Sequence, residues 1–352
     1  SWDDVQTLDA LAVEVGYRLI SLVDPEQGGE LLARIKGVRK KRTTELGFLV
    51  PAVHIRDALD LDPNHYRIKC FGVTVAEGEV LSGMELAIDS GGVSAPVPGH
   101  PTKDPVFGLQ AVWIDTSERD AAQAQGYMVF NAGTVITTHL DKVIVDFAHE
   151  LLGHAETQEL LDRLAEKSPK LVESVVPDPL PLGVVTRVMQ NLLKEQIPLL
   201  HVQTIVETLA EHCHHSQDPD SLTAQVRIAL GRFIVQQINE LRPELAVVVL
   251  DSQLDHILHK HVQATGQQRP ALDPDTLVRL DGAISEASAL CANAPQPTVL
   301  LVADALRALV QQMARRYEPV PKVLAIGELP DTQQIRSVGR VGAGALAEAV
   351  TA

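Results

Sequence analysis

The chain lacks several features that whole classes of protein require. In its 352 residues no apolar run approaches the roughly 18–20 residues that a membrane-spanning helix needs, and no signal peptide opens the sequence. Cysteine is scarce: Cys70, Cys213 and Cys291 are far apart and odd in number, which argues against a disulfide framework. We therefore expect a soluble chain in a reducing, cytoplasmic compartment.

Aromatic residues and positive charge are scarce as well. Aromatics make up 3% of the chain and hydrophobic residues 45%, so Leu, Val, Ile and Ala must fill an ample interior. The 30 basic residues against 46 acidic ones give a net charge of −16, which argues against nucleic acid or an anionic membrane surface as the main partner. The acidic excess suits either simple solubility or selection of a partner, and composition leaves both open.

The length predicts two to four domains, and strand and helix patterns alternate along the first part of the chain. Apolar or alternating runs predict strands at 16–23, 50–55, 66–75, 80–88, 109–114 and 127–131. Amphipathic periodicity predicts helices at 28–46, 117–125 and 134–152. This alternation favours α/β or α+β layering.

The predicted fold class is α/β and α+β multidomain, with four subdomains. We expect an α/β first domain (10–82 plus 132–151), an inserted small α+β domain (83–131) with an exposed loop at 91–105, an all-helical third domain (152–231) and an α/β fourth domain (232–330). Residues 1–9 are interpreted as the end of a linker. Residues 331–352 are rich in Gly and Ala and are interpreted as a flexible tail.

Histidine clusters raise the possibility of a metal-dependent hydrolase. In His149-Glu150-Leu-Leu-Gly-His154 the second histidine follows at i+5, so on one helix the two side chains point about 140° apart, whereas a zinc-protease helix needs i+4. His212-Cys213-His214-His215 and the histidines at 256, 259 and 261 show no second ligand pair at finger-like spacing. We expect no catalytic residue, metal or cofactor, and keep the hydrolase as an alternative.

The segments 101–114 and 134–144 are the most specific in the chain. Asp104-Pro105 predicts a turn, because proline fixes its own φ and biases the preceding residue towards extended conformations. No nucleophilic, metal-binding or phosphate-binding pattern accompanies the two segments. Apolar and hydroxyl side chains beside one fixed carboxylate predict a docking surface, with core packing and a turn-capping Asp104 as the alternative.

Six segments carry a resemblance to a known family. They are EVGYRLISLVD (14–24), ELLARIKGVRKK (30–41), ELGFLVPAVHIRDAL (45–59), KDPVFGLQAVWI (103–114), HELLGHAETQELLDRLAEKSPKLVE (149–173) and LTAQVRIALGR (222–232). With them the chain resembles the cytoplasmic domain of the FlhA-type (FHIPEP) family, the export-gate proteins of the flagellar type III secretion apparatus.

The resemblance implies a docking site and its occupant. Asp104, Phe107 and Thr138 would line a hydrophobic dimple that receives flagellar export chaperones with bound substrates, flanked by Phe130 and Val135. A chaperone helix would lay apolar anchors over Phe107 and Val135, while Asp104 would fix register by accepting hydrogen bonds.

The resemblance also implies self-association. The basic run Arg39, Lys40 and Lys41 offers a place for an acidic segment of another chain, such as Asp4 beside Trp2, and in the family these positions are implicated in closing a ring of nine subunits. A plain solvated face is the competing interpretation of the basic run.

Location and further partners follow from the same resemblance. The family implies a position at the cytoplasmic face of the bacterial inner membrane, as the soluble domain of a multi-span protein, and contacts with the export switch protein and the ATPase complex. No nucleic acid and no enzymatic activity are expected. Two more interpretations stay open: the equivalent domain of a virulence type III system, and a stand-alone soluble adaptor.

Overall fold

The computed structural model describes residues 2–264 and 272–344, which fall into two compact units. One unit comprises Ser1–Lys167 with Val185–Val202, and the other comprises Ser168–Val184 with Gln203–Ala352. Within the described ranges, no helix is both long enough and apolar enough to cross a bilayer.

The first part of the chain alternates strands and helices, as the sequence patterns predict. Its elements are β1 (Leu11–Val15), α1 (Ile20–Val23), α2 (Leu31–Leu46), β2 (Val53–Asp57), β3 (His65–Cys70), β4 (Val73–Glu79), β5 (Glu85–Ile88), β6 (His100–Lys103), β7 (Gln110–Ile114), α3 (Arg119–Ala124), β8 (Met128–Asn131), α4 (Ala132–Asp146), α5 (Ala148–Leu151) and α6 (His154–Ala165).

After α6 the chain is helical up to β9 and then α/β. Its elements are α7 (Pro169–Glu173), α8 (Leu182–Lys194), α9 (Val202–His212), α10 (Pro219–Ala229), α11 (Gly231–Asn239), β9 (Glu244–Leu250), α12 (Ser252–Ala264), α13 (Pro274–Asn293), β10 (Thr298–Val302), α14 (Arg307–Ala314), β11 (Val323–Ala325) and β12 (Gln334–Val341). Short 3-10 helices lie at Trp2–Asp4, Tyr17–Leu19, Pro25–Gln27, Thr116–Glu118, Asp304–Leu306 and Ile326–Glu328.

The first sheet has the order β2-β1-β3-β4, with β1 parallel to β2 and the β1–β3 and β3–β4 pairs antiparallel. Every residue of β1 is buried, as expected of an apolar central strand. Helix α4 packs on β3 and β4 and also against α2. Its buried face includes Ile136, Leu140 and Ile144, each with 0% of its surface exposed, so α4 closes the core of this sheet.

The second sheet is fully antiparallel in the order β6-β7-β5-β8. All its strands lie in the segment between β4 and α4. Its small core includes Ile114 from β7, Ala122 from α3 and Val129 from β8. The first and second sheets are therefore connected twice, between β4 and β5 and between β8 and α4.

The third sheet is fully parallel in the order β11-β10-β9-β12. Its apolar strands pack with α12, α13 and α14 around a core that includes Val248, Leu254 and Ile284. The predicted mixed α/β and α+β fold is confirmed. The boundaries of the four proposed domains remain a prediction.

Several predicted elements were wrong in extent or type. Residues 16–23 form no strand: β1 ends at Val15, and helical turns follow it. At that point Gly16 passes so close to the backbone of Asp62 and Pro63 that a Cβ would lie 2.2 Å from the Asp62 oxygen. Of the predicted strand 80–88, only Glu85–Ile88 is a strand, β5. The strand 66–75 is instead two strands, β3 and β4. They are joined by a turn at Phe71 and Gly72, both with positive φ (48° and 79°).

Two further corrections concern a loop and the tail. The loop 91–105 contains the edge strand β6, where Pro101 is tolerated because an edge strand leaves some backbone amides unpaired. The flexible tail from 331 onward is wrong for residues 334–341, which form β12 and pair in parallel with β9. The end of that tail, 345–352, lies outside the described residues.

Candidate functional site

The turn at residues 104–109 connects β6 to β7 and is closed by its own hydrogen bonds. The Asp104 amide donates to the Leu109 carbonyl at 2.7 Å, and the Gly108 amide donates to the Asp104 carbonyl at 2.9 Å. The Asp104 carboxylate accepts from the amides of Val106 (3.1 Å) and Phe107 (2.7 Å). Gly108 has φ +70°, which favours glycine at this position.

The fixed turn holds Phe107 out in solvent. This side chain is 63% exposed, while Asp104, three residues earlier, is 2% exposed. The backbone of a hydrogen-bonded turn loses little conformational freedom when a partner covers it, so the turn presents a preformed apolar contact point.

Beneath the turn lies a buried polar pair. The Tyr66 hydroxyl on β3 is 2.7 Å from Nδ1 of His139 on α4, and the two residues are 0% and 7% exposed. Burial raises the pKa of the Tyr66 phenol, and the negative Asp104 adds to this shift. Burial lowers the pKa of His139, a shift that Asp104 opposes and Lys142 reinforces. Both groups are therefore neutral near pH 7, and they share one hydrogen bond.

Helix α4 is positioned by contacts at its N-terminus. The Asn131 side chain caps it by accepting a hydrogen bond from the Thr134 amide at 2.8 Å. Arg34 of α2 donates to the Thr134 hydroxyl at 2.8 Å. One turn further along, the helix carries His139, which contacts Tyr66 of the first sheet, and Thr138, the residue before it.

The structure brings together only part of the predicted docking set. Asp104 lies close enough to Tyr66 and His139 to influence their pKa values, and Thr138 is the half-buried neighbour of His139 on α4. Phe130 is half-buried on β8, an edge strand two strands away from β7, which corresponds to roughly 10 Å across the sheet. Phe130 therefore does not adjoin the turn across the sheet.

Two residues of the predicted docking set are buried. Val135 is only 3% exposed and contributes to the core, and its contact with a partner stays a prediction. Asp104 is buried, and both of its carboxylate oxygens accept amides from its own turn, so it does not present them to a partner. Its role here is to hold Phe107.

Sequence reasoning missed Tyr66, Gly78 and His139. Gly78 lies inside β4, and a glycine within a strand indicates close approach of another group. A Cβ at Gly78 would lie 2.7 Å from the Pro105 Cβ and 2.7 Å from the Tyr66 hydroxyl oxygen. That glycine was the available signal, since nothing local connects Tyr66 or His139 with the turn.

Of the predicted subunit-contact residues, four are exposed and one, Arg39, is hydrogen-bonded within its own chain. Trp2 is 89% exposed, and Asp4, Lys40 and Lys41 are exposed as well. Arg39 is half-buried, and its Nε donates to the Val50 carbonyl at 2.7 Å. Of the basic run 39–41, the two lysines are thus the more accessible charges.

The histidine clusters do not converge with other ligands. Within the residues that the structure describes, no group of three or more His, Cys, Asp or Glu side chains could hold a metal ion. Gly153 is the N-cap of α6, with its amide donating to the Glu156 side chain at 2.8 Å. His149 and His154 are thereby placed on two different helices, α5 and α6.

The sequence matches the model of the FHIPEP family over residues 1–334. Among curated relatives, the flagellar biosynthesis protein FlhA of Escherichia coli (strain K12) is 45% identical over 342 residues, which are 97% of this chain and 49% of that protein. FlhA of Bacillus subtilis (strain 168) is 36% identical over 335 residues, 95% of this chain and 50% of that protein. The chain spans about half the length of the curated relatives that it matches.

Solved structures share the fold at lower identity. The Chlamydia pneumoniae CdsV protein superposes with a TM-score of 0.82 at 23% identity, covering 96% of this chain and 99% of that one. The cytosolic assembly described as nonameric EPEC SctV-C gives a TM-score of 0.75 at 19% identity, covering 96% and 99% of the two chains. At these identities the likeness establishes the fold alone.

Proposed function

The chain belongs to the FHIPEP family, and on that premise we propose that it is the docking platform of a flagellar type III protein-export gate. In this proposal it binds export chaperones with their substrates and orders their export. The observation that carries the proposal is the 63% exposed Phe107, held on a turn whose backbone bonds are already made.

The geometry supports binding without chemistry. A partner helix that lays an apolar face over Phe107 and over Leu109 (40% exposed), two residues further along, would remove apolar surface from water without reorganising the turn. Asp104 acts from inside the protein in this mechanism, by keeping the Phe107 amide bonded. Selectivity among chaperones then arises from the shape and apolarity of their contact face.

Assembly and location belong to the same proposal. One solved structure of the same fold is described as a nonamer, and another as a complex of CdsV with CdsO. By analogy we propose that this chain forms a ring at the cytoplasmic face of the inner membrane and contacts further components of the export apparatus. The flagellar assignment is preferred over the virulence type, because the relatives at 36–45% identity are flagellar biosynthesis proteins.

Calorimetric titration with flagellar export chaperones, alone and loaded with substrate, tests the docking proposal. Phe107→Ala should weaken binding by about 1–3 kcal/mol, as loss of a central aromatic anchor does. Leu59→Ala is the matched control: Leu59 is 96% exposed in the same unit and lies outside the turn, so its loss should leave binding unchanged. Equal affinities for wild type and Phe107→Ala would refute the docking site.

A further inference from the structure

Gly78 lies where β4 meets the base of the 104–109 turn. A Cβ added there would lie 2.7 Å from the Cβ of Pro105 and 2.7 Å from the hydroxyl oxygen of Tyr66, with the Tyr66 ring carbon at 2.9 Å. Real Cβ atoms essentially never show such distances, so one of these neighbours would have to move. The turn therefore rests on a strand position that has no room for a side chain.

The two neighbours of Gly78 differ in how easily they can move. The Tyr66 ring is fully buried and its hydroxyl is bonded to His139, so the ring cannot swing aside without leaving Nδ1 of that histidine unpaired in the interior. Pro105 is the more mobile of the two, because it belongs to a turn at the surface. A displacement at Gly78 should therefore be passed to Pro105.

Pro105 is rigidly connected to Phe107. The carboxylate of Asp104, the residue before it, accepts the amides of Val106 and Phe107, and the turn is closed by the bonds of Asp104 with Leu109 and Gly108. With these bonds in place the turn moves as one body. A shift of Pro105 at its base therefore becomes a shift of the Phe107 ring at its tip.

We propose that Gly78, Tyr66 and His139 are positioning residues for this turn, setting the location and tilt of the Phe107 ring from beneath the surface. They need not touch the partner. The inference deepens the proposed docking function and rests on it for its biological meaning, but its structural content is independent of any partner.

The first test measures the ring itself. With 4-fluorophenylalanine in place of Phe107, the fluorine resonance of the whole chain is recorded for wild type, Gly78→Ala and Gly92→Ala. Gly92 is the matched control, because a Cβ added there would meet open space and its φ is not positive. We expect the resonance to move in Gly78→Ala and to stay in place in Gly92→Ala.

A second variant keeps the test decisive if Gly78→Ala does not fold. Tyr66→Phe removes only the hydroxyl that spans to His139, and it should also move the fluorine resonance, by a smaller amount. An unmoved resonance in Gly78→Ala, or in Tyr66→Phe should Gly78→Ala not fold, overturns the proposal.

The partner test separates the inference from the proposed function. Chaperone affinity should fall about tenfold in Gly78→Ala, a coupling typical of residues that share a contact. In a Pro105→Gly background, Gly78→Ala should weaken chaperone binding little further, because the contact between residue 78 and the Pro105 ring is gone. If Gly78→Ala acted only by general destabilisation, its full loss of affinity would add to that of Pro105→Gly. Should wild type bind no chaperone, the proposed function fails while the fluorine measurement still decides the inference.

Discussion

Asp104 and Asp115, both in the region of the second sheet, each accept a hydrogen bond from a nearby backbone amide, but the first is buried and the second is exposed. Asp104 is 2% exposed and accepts two backbone amides of its turn, whereas Asp115 is exposed and accepts the Ser117 amide ahead of α3. Hydrogen bonds from the Ser117 backbone and side chain lower the pKa of Asp115. A buried charged acceptor contributes more than an exposed one, because water cannot replace it when it is removed.

Asp104→Ala is therefore expected to destabilise the first unit by about 2–3 kcal/mol, since two amides of the turn lose a charged acceptor that is itself buried. Urea unfolding followed by the fluorescence of Trp113, which is 4% exposed, measures this, with Trp2 replaced by Phe throughout. Asp115→Ala serves as the comparison and should cost clearly less. Equal losses in the two variants would show that burial of Asp104 does not contribute.

His139 makes stability depend on pH with a definite sign. Its pKa lies below the usual 6.5, first because of burial and further because of Lys142 on the same helix, while Asp104 on the facing turn acts in the opposite direction and the neutral Tyr66 fills Nδ1. As pH falls through 6.5 the unfolded chain takes up a proton that the folded protein resists, so the free energy of unfolding decreases below that pH.

His139→Gln should remove this part of the pH dependence, because the Gln amide is polar but does not titrate. Unfolding free energies measured from pH 5 to pH 8 should fall more steeply for wild type than for His139→Gln. The chain holds 13 histidines, and the others contribute to both curves alike, so the contribution of His139 is the difference between the two curves. Parallel curves would contradict the assignment.

At the scale of elements, segments specified by local signals were predicted well. Helix α4 and strand β7 follow from apolar periodicity, and Asp104-Pro105 gave the turn between β6 and β7. The run 16–23 is as apolar as a strand, yet β1 ends before it, where Gly16 approaches the Asp62 backbone. Local pattern cannot report such a long-range contact.

The candidate site shows the same division. Its exposed tip, Phe107, could be predicted from the turn, whereas its support could not. Tyr66 and Gly78 come from strands of the first sheet and His139 from α4, and the pairing of these elements is decided by the whole fold. Likewise β12 carries a polar, mostly exposed sequence, and it is a strand because β9 offers it a free edge.

The ion pair between α10 and the segment after β11 is a further element-scale feature. Nε and Nη2 of Arg227 donate to the Glu328 carboxylate at 2.9 Å each, and the two residues are 3% and 2% exposed. Glu328 also accepts the Ala325 amide at 3.1 Å. Such a pair is costly to break from one side, because the remaining charge stays buried.

Glu328→Gln is expected to destabilise the second unit by about 3–5 kcal/mol, since the Arg227 guanidinium loses its counter-charge in the interior. Scanning calorimetry measures the shift in the unfolding transition. The control is Glu244→Gln, which removes an exposed partner of Arg336 at 3.5 Å and should change stability by less than about 0.5 kcal/mol. A small loss of stability in both variants would mean that other groups stabilise the Arg227 charge when the Glu328 carboxylate is removed.

At the scale of the whole molecule, a net charge of −16 makes self-association depend on local exceptions to the acidic surface. Lys40 and Lys41 are exposed cations on α2, and Trp2 is an 89% exposed aromatic next to acidic residues. In the ring that we propose, opposite charge on a second copy, with Trp2 as anchor, would give a contact that the acidic surface otherwise disfavours.

Trp2→Ala should lower the yield of rings by about tenfold, the effect of losing an aromatic hot spot, and Lys40→Ala with Lys41→Ala should lower it further at low salt. Electron microscopy and sedimentation measure the yield. Leu241→Ala is the control, because Leu241 is also 89% exposed but carries no proposed contact. Rings that form equally well without Trp2 would rule out this contact.

The double connection between the first and second sheets has a consequence for synthesis on the ribosome. The four strands of the second sheet lie between Glu85 and Asn131, so they emerge together and can fold as soon as they are made. The first sheet emerges earlier, yet α4, which packs on β3 and β4, is made only after the second sheet is complete. A nascent chain that has reached Asn131 therefore carries a finished later sheet and an uncovered earlier one, and at that length it is most exposed to aggregation.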